Sequence, residues 1–286
     1  MVEKFVLGTA NFGMEYGISS KKVDIKEALK ILKRSVEEGI WGVDTAVAYG
    51  HAEDILGEFF SVKGKVLRVI DKLPHRDYAG KKEVEKEVKN MLKRLNLSFL
   101  DCLLLHSFRT FELMPHIVDV LKGLKEEGFI KHYGISVYHT WEVESFYHLC
   151  KEPIVVEFPL NVFDRRFTKH IKNWKSMGFM LFARSVFLQG LFFLENFEGH
   201  LKKAEEKVKA LRDLAKKLDV ELSCLLLSFV GHFEDLDGFI VGVDGLTQFE
   251  MNLRCLKNPV KLKQDMDSFE LQDEDLILPY RWFKPS

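Results

Sequence analysis

An acid and a phenol lie five residues apart in Gly-Val-Asp-Thr-Ala-Val-Ala-Tyr-Gly, which sets Asp44 and Tyr49 at the end of a short apolar run. Two more chemically capable groups close later apolar runs: Lys72 after Val69-Ile70-Asp71, and His106 after Leu103-Leu104-Leu105. Each has an ordinary structural role open to it. Asp caps turns, Tyr packs amphipathically, Lys caps surface loops, and a lone His is commonly a satisfied core group. Together the four suit reduction of a carbonyl, because hydride delivered to carbon leaves charge on oxygen that a placed proton donor must quench. A free Tyr has a pKa near 10. Bringing Tyr49 down to roughly 7–8 takes about 3–4 kcal/mol of differential stabilisation, which an adjacent Lys72 held by Asp44 would supply. His106 would orient the carbonyl through a ring nitrogen, neutral or charged.

Four groups spread over 62 residues act together only if the fold converges them. Apolar runs at 5–7, 41–43, 66–70, 102–105, 133–136, 154–158, 179–183 and 239–241 read as strands, nearly continuous rather than alternating, as in a parallel sheet covered on both faces. Helical patterns fall between them. Ala28, Leu29, Leu32 and Val36 stripe the first of these, boxed by Asp24 and Glu27 and stopped at Gly39. Later ones cover 53–60, Val84 to Leu95, and Ile117 to Leu124 ended by Gly128; another is capped by Thr140, and four more span about 165–177, 201–218, 221–230 and 247 onward, the last boxed by Glu250. Eight strand–helix units without a linker predict an α/β protein, a single-domain (β/α)8 barrel over 1–286 with a C-terminal tail from about 257 packing on it. An open doubly wound sheet is the alternative. In the barrel, active groups sit at strand carboxyl ends, where Asp44, Lys72, His106 and Ser136 fall. Alternation turns Lys72 and His106 inward and Asp71 outward, where it needs a partner.

Composition narrows the partners. The 42 basic and 43 acidic residues nearly cancel, which argues against nucleic acid. No uncharged run is long enough to span a bilayer and no leader-like apolar region opens the chain, so a cytoplasmic, membrane-independent protein is expected. Cys102, Cys150, Cys224 and Cys255 lie far apart and read as reduced core residues. No His pairing at a strand end has metal-ligand spacing, so no metal is expected. Oligomeric state has no signal in the sequence.

Gly-Thr-Ala-Asn-Phe-Gly after the first strand, Val-Asp-Thr-Ala-Val-Ala-Tyr-Gly, Lys72, Leu-Leu-Leu-His, Gly-Ile-Ser, Asn161 in Pro-Leu-Asn-Val-Phe-Asp-Arg-Arg, Ala-Arg-Ser at 183–185, and Val-Gly-Val-Asp-Gly with Gln248 and Asn252 resemble, in order, the aldo/keto reductase superfamily. The resemblance implies a barrel that uses a nicotinamide cofactor without a Rossmann domain, in agreement with the absence of G-x-G-x-x-G. It implies Asp44, Tyr49, Lys72 and His106 as the catalytic four, with Tyr49 the general acid, acting on a small-molecule carbonyl. Gly8, Thr9, Ser136, Glu157, Arg184, Ser185, Gln189, Gly242, Gln248 and Asn252 would hold the cofactor. NADP(H) is the form the resemblance favours, with NAD(H) left open, because the basic residues that many relatives use for a 2′-phosphate appear as Gly242 and Gln248. Other departures are Val137 in place of an Asn, Glu157 in place of Gln, which accepts hydrogen bonds but donates none, and Arg184 where a Tyr often stacks on the nicotinamide.

Substrate-facing positions would include Tyr16, His75, 108–111, the Phe-rich connection after the seventh strand and the tail at 280–283. Arg109, Arg165 and Arg166 would receive an anionic or sugar-like substrate. Two other functions fit the same barrel: a non-catalytic nicotinamide-binding subunit, like the potassium-channel β subunits, and a Schiff-base lyase or aldolase with Lys72 as nucleophile.

Overall fold

Eight parallel strands close into a barrel in sequence order in the computed structural model, which describes residues 1–18, 20–262 and 266–282. The strands are β1 (Phe5–Gly8), β2 (Gly42–Asp44), β3 (Arg68–Leu73), β4 (Leu100–Leu105), β5 (Ile130–Ser136), β6 (Val155–Pro159), β7 (Met180–Arg184) and β8 (Gly238–Gly242). Between them run α1 (Ala10–Gly13), α2 (Ile25–Glu38), α3 (Ala52–Lys63), α4 (Lys81–Leu95), α5 (Phe108–Leu113), α6 (Ile117–Glu126), α7 (Thr140–Cys150) and α8 (Thr168–Ser176). After β7 come α9 (Glu205–Lys217) and α10 (Leu222–Gly231), and after β8 come α11 (Leu246–Lys257) and, in the tail, α12 (Glu274–Ile277). The closed barrel of the sequence reading is the fold, and the open sheet is not.

Alternation along the strands builds two cores. Val6, Ile70, Cys102, Leu104, Val155, Phe182 and Ile240 form the inner one, and Trp41 stands edge-on to Phe182 below it. The residues between them, such as Leu7, Val69, Leu103 and Leu105, face out and join the helices in the larger cluster. Leu276, Ile277, Leu278 and Trp282 of the tail are buried against that cluster, and the Leu271 N–H donates to the Phe163 carbonyl. Phe283, expected beside the site, lies outside the described residues. Among the described residues no helix is long and apolar enough to cross a membrane.

Three local readings are corrected by tertiary partners. Asp24 does cap α2, accepting from Lys26 N, but Glu27 reaches instead to Leu246 N at 2.8 Å. Glu250 likewise pairs with Arg34, and α11 begins after Gly245, which has no side chain to cap it, so that its only side-chain acceptor among the described residues is the distant Glu27. At α7 the cap is His139, with Glu142 accepting from its N–H and from that of Tyr138; Thr140 is the first helical residue. Gly39 and Gly128 stop their helices with positive φ, as expected.

Two cysteines also differ from the reading. Cys102 and Cys150 are buried free thiols, but Cys224 and Cys255 form a disulfide between α10 and α11. Their helices pack side by side, bringing Cα atoms 31 residues apart in sequence to 4.7 Å, a proximity that spacing does not reveal. Such bridges persist in oxidising compartments and in intracellular proteins of hyperthermophiles.

Candidate active site

The carboxyl end of β2 is held by its neighbour. The Thr9 N–H and hydroxyl both donate to the Asp44 carbonyl at 2.9 Å, so the predicted cofactor residue Thr9 is fully buried and spends its side chain on positioning Asp44. Beyond Asp44 the chain turns, with Tyr49 N–H on the Ala46 carbonyl. Gly13 fixes where that turn sits, because a Cβ at Gly13 would stand 1.6 Å from the Tyr49 carbonyl oxygen. The rest of the rim follows from register: Lys72 lies opposite Leu104 on β4, so it rises two residues beyond the level where Asp44 pairs with Ile70. His106 follows directly on β4, its N–H on the Leu73 carbonyl.

These four side chains converge. Lys72, 1% exposed, donates to the Asp44 carboxylate and to the Thr45 carbonyl at 3.3 Å. Its ammonium lies 5.3 Å from the centre of the Tyr49 ring, and the His106 ring stands edge-on to Tyr49 at 5.7 Å. A fifth group completes the cluster, since Glu157 on β6 places Oε2 3.3 Å from Lys72 Nζ while its Oε1 accepts from Ser136 Oγ at 3.1 Å. Sequence reasoning had assigned Glu157 only to the cofactor. Its partnership with Lys72 spans the barrel mouth between strands that are not neighbours.

Protonation follows from burial. Burial pushes the Asp44 carboxyl up to about 8 against the pull of Lys72, and the Glu157 charge adds to the rise. For Lys72, burial disfavours the ammonium, but Asp44, Glu157 and Tyr49 outweigh it and raise its pKa, so it stays charged. An amine kept protonated between two carboxylates is not a nucleophile for Schiff-base chemistry. The phenol of Tyr49 is raised rather than lowered, because burial exceeds the help of an ammonium already committed to two carboxylates. This reverses the sequence expectation for Tyr49. His106 is pushed down to about 4, first by burial and then by Lys72, which makes it neutral at physiological pH. Behind the site, Asp71 finds its outward partners: Oδ1 accepts from Lys72 N at 2.7 Å, and burial beside Glu53, itself held by Arg94, pushes its carboxyl well up.

A cavity of about 470 Å³ opens above the cluster, within the range that holds small ligands and cofactors. Gly8, Asp44, Tyr49, Glu157, Arg184, Ser185, Gln189, Gly242 and Gln248 of the predicted residues line it. Lys72 and Ser136 lie buried below, His106 is half-buried at the rim, and Asn252 is fully buried on α11. Arg184 does not present a free stacking face in the way expected. Its guanidinium lies over the Tyr138 ring at 4.2 Å and donates to the Val137 carbonyl and Ser185 Oγ. The loop after β7 is backbone-strained, with Ser185, Leu188 and Gln189 all at positive φ. Asn161 pins its start by donating to the Ser185 carbonyl at 3.1 Å.

Of the proposed substrate residues, Tyr16 lines the cavity with its ring 6.4 Å from Tyr49 and its hydroxyl accepting from Gln189. Arg166 is instead clamped to Asp164 through two nitrogens, and Arg165 pairs with Asp267, so neither guanidinium is offered to an anion. His75 meets Thr110 Oγ1 at 3.0 Å. Asp244, missed as a site residue although it sits inside the quoted Val-Gly-Val-Asp-Gly run, lines the far end of the cavity.

With this geometry in place, the comparison with known sequences is decisive: the family model "Aldo/keto reductase family" matches residues 4–271. The chain belongs to the aldo/keto reductase family. Among family relatives it is similar to "Uncharacterized oxidoreductase YqkF" of Bacillus subtilis, 26% identical over 73% of this chain and 71% of the relative. It is also similar to "Probable voltage-gated potassium channel subunit beta" of Arabidopsis thaliana, 21% identical over 87% of this chain and 88% of the relative. In fold it matches the aldo-keto reductase AKR11C1 from Bacillus halodurans in its holo form, with a TM-score of 0.76 at 20% identity over 93% of this chain and 90% of that one.

Proposed function

We propose that this family member is a NAD(P)H-dependent reductase of aldehydes or ketones. The observation that carries the reading is the buried Lys72 ammonium between Asp44 and Glu157, beneath a Tyr49 phenol that a neutral His106 flanks edge-on. The residues fit a nicotinamide dinucleotide. Asn252, fully buried, has both amide atoms unpartnered and one helical turn from the cavity-lining Gln248, which suits recognition of a polar base. Glu157 and Ser185 would border the nicotinamide half, Gln248 and Asn252 the adenosine half. When bound, the cofactor supplies hydride to the substrate carbon.

The chain's own groups do the rest. A neutral His106 offers one ring N–H to the carbonyl oxygen and so fixes the substrate's orientation. Tyr49, raised by burial, holds its proton until charge develops on that oxygen and then gives it up. The resulting phenolate is stabilised by Lys72, which keeps its own proton, and Asp44 and Glu157 keep the ammonium beneath the ring.

A second reading, a binding subunit without turnover, draws support from Glu157 and Arg184 at the cofactor end and from the similarity to the potassium-channel subunit. Single-turnover mixing of the protein with bound reduced nicotinamide and a panel of aldehydes separates the two. Oxidation of the bound cofactor is the expected result, and cofactor that binds but is never oxidised across the panel sinks the reductase reading.

A further inference from the structure

The cavity runs from Tyr49 and Glu157 past Ser185 and Gln189 to the turn between β8 and α11. A dinucleotide with its reactive ring beside Tyr49 has its adenosine ribose at that far end. Among the described lining residues Arg184 is the one cationic side chain, and it sits at the ring end, facing Glu157. At the far end the charges are negative. Asp244 lines the wall, its Oδ1 3.4 Å from Asn11 Nδ2. Glu27 crosses from α2 and places Oε1 2.8 Å from the N–H of Leu246, the first residue of α11, and 2.9 Å from where a Gly245 side chain would begin. Gln248 Oε1 meanwhile accepts from Asp244 N at 2.7 Å.

The backbone donors of Asp244 and Leu246, which would otherwise greet a phosphate at this helix start, are therefore already taken from within the chain. We propose that the Asp244 end of the cavity, with Glu27 occupying the helix-start donor next to it, selects NAD(H) and rejects NADP(H). A 2′-phosphate carries close to two negative charges and would face the Asp244 carboxylate, with the Leu246 N–H already occupied by Glu27 and the Asp244 N–H by Gln248. An unphosphorylated ribose presents a hydroxyl, which a carboxylate accepts, the same chemistry by which acidic residues recognise NAD elsewhere. The result runs opposite to the form favoured by family resemblance, and it rests on the reductase reading above.

Fluorescence titration of the purified protein with NADH and with NADPH, at matched ionic strength, tests it. NADH is expected to bind at least about tenfold tighter, with the gap narrowing as salt screens the carboxylates. Glu27→Gln keeps an acceptor for Leu246 N–H and Asp244→Asn keeps the shape of the turn. In the double variant the NADPH/NADH ratio of dissociation constants is expected to fall toward one through tighter NADPH binding. Equal or tighter NADPH binding by the unaltered protein overturns the inference while leaving the reductase reading standing, as does a ratio unmoved in the double variant. Binding of neither nucleotide overturns both.

Discussion

Glu157 Oε2 lies 3.3 Å from Lys72 Nζ, which gives the buried ammonium a second carboxylate besides Asp44. Glu157 thereby meets both basic groups of the site, Lys72 through Oε2 and Arg184 through Oε1, while Asp44 pairs with only Lys72 of the two. Burial raises the Tyr49 phenol by more than Lys72 lowers it, and the charges of Asp44 and Glu157 add to the rise.

Replacing Glu157 by Gln keeps the acceptor for Ser136 Oγ but removes that charge. Because Glu157 raises Asp44, the Asp44 pKa is expected to fall below about 8 in the variant. The pH–rate profile reads this directly: the limb belonging to Asp44 moves to lower pH, whereas a purely structural role for Glu157 leaves it in place.

Tyr49→Phe keeps the ring on Lys72 and removes the proton. Reduction of model aldehydes is expected to drop by about 10²–10⁴-fold, the usual scale of general acid catalysis, with cofactor affinity nearly unchanged. Steady-state rates beside a binding titration check this. Unaltered turnover would remove Tyr49 from the mechanism.

His106 is expected to titrate near 4 when followed by NMR, and to rise in Lys72→Met because the Lys72 charge is the second cause of its depression. Its folded pKa lies below the unfolded value near 6.5, so between about 4 and 6.5 the unfolded chain binds more protons. The His106 contribution to stability is therefore complete above about 6.5 and is lost as pH falls through that window, by at most about 3 kcal/mol. Urea unfolding of the protein and of His106→Asn at pH 7 and pH 5 should converge as pH drops.

Gly13→Ala tests the seat of the Tyr49 turn. A methyl 1.6 Å from the Tyr49 carbonyl oxygen forces the backbone of one of the two segments to move. Destabilisation of about 1–3 kcal/mol is expected from the overpacking, together with a fall in kcat out of proportion to it. A variant with normal kcat would show that Tyr49 is positioned from elsewhere.

Much of the barrel was legible because its strands are buried on both faces, so each appears as a short apolar run regardless of what it packs against. Helix stops were legible at Gly39 and Gly128, where the backbone itself demands glycine. Helix starts were legible only in part, with Asp24 capping α2 as expected. Glu27 and Glu250 have the right spacing for local boxes, yet one caps a helix 219 residues away and the other joins Arg34. A carboxylate goes to whichever donor the packed structure leaves nearest, and local spacing does not encode that. The disulfide was hidden for the same reason, its partners being neighbours only once α10 and α11 lie together.

The sequence by itself determined that eight strand–helix units close a barrel and that Asp44, Tyr49, Lys72 and His106 reach one rim, since period and order along the chain set both. Only the tertiary structure decided which protons those groups hold and which charges face the far end of the cavity. Burial, and contacts across the barrel mouth between non-adjacent strands, shift each pKa, and those depend on distances that exist only after closure.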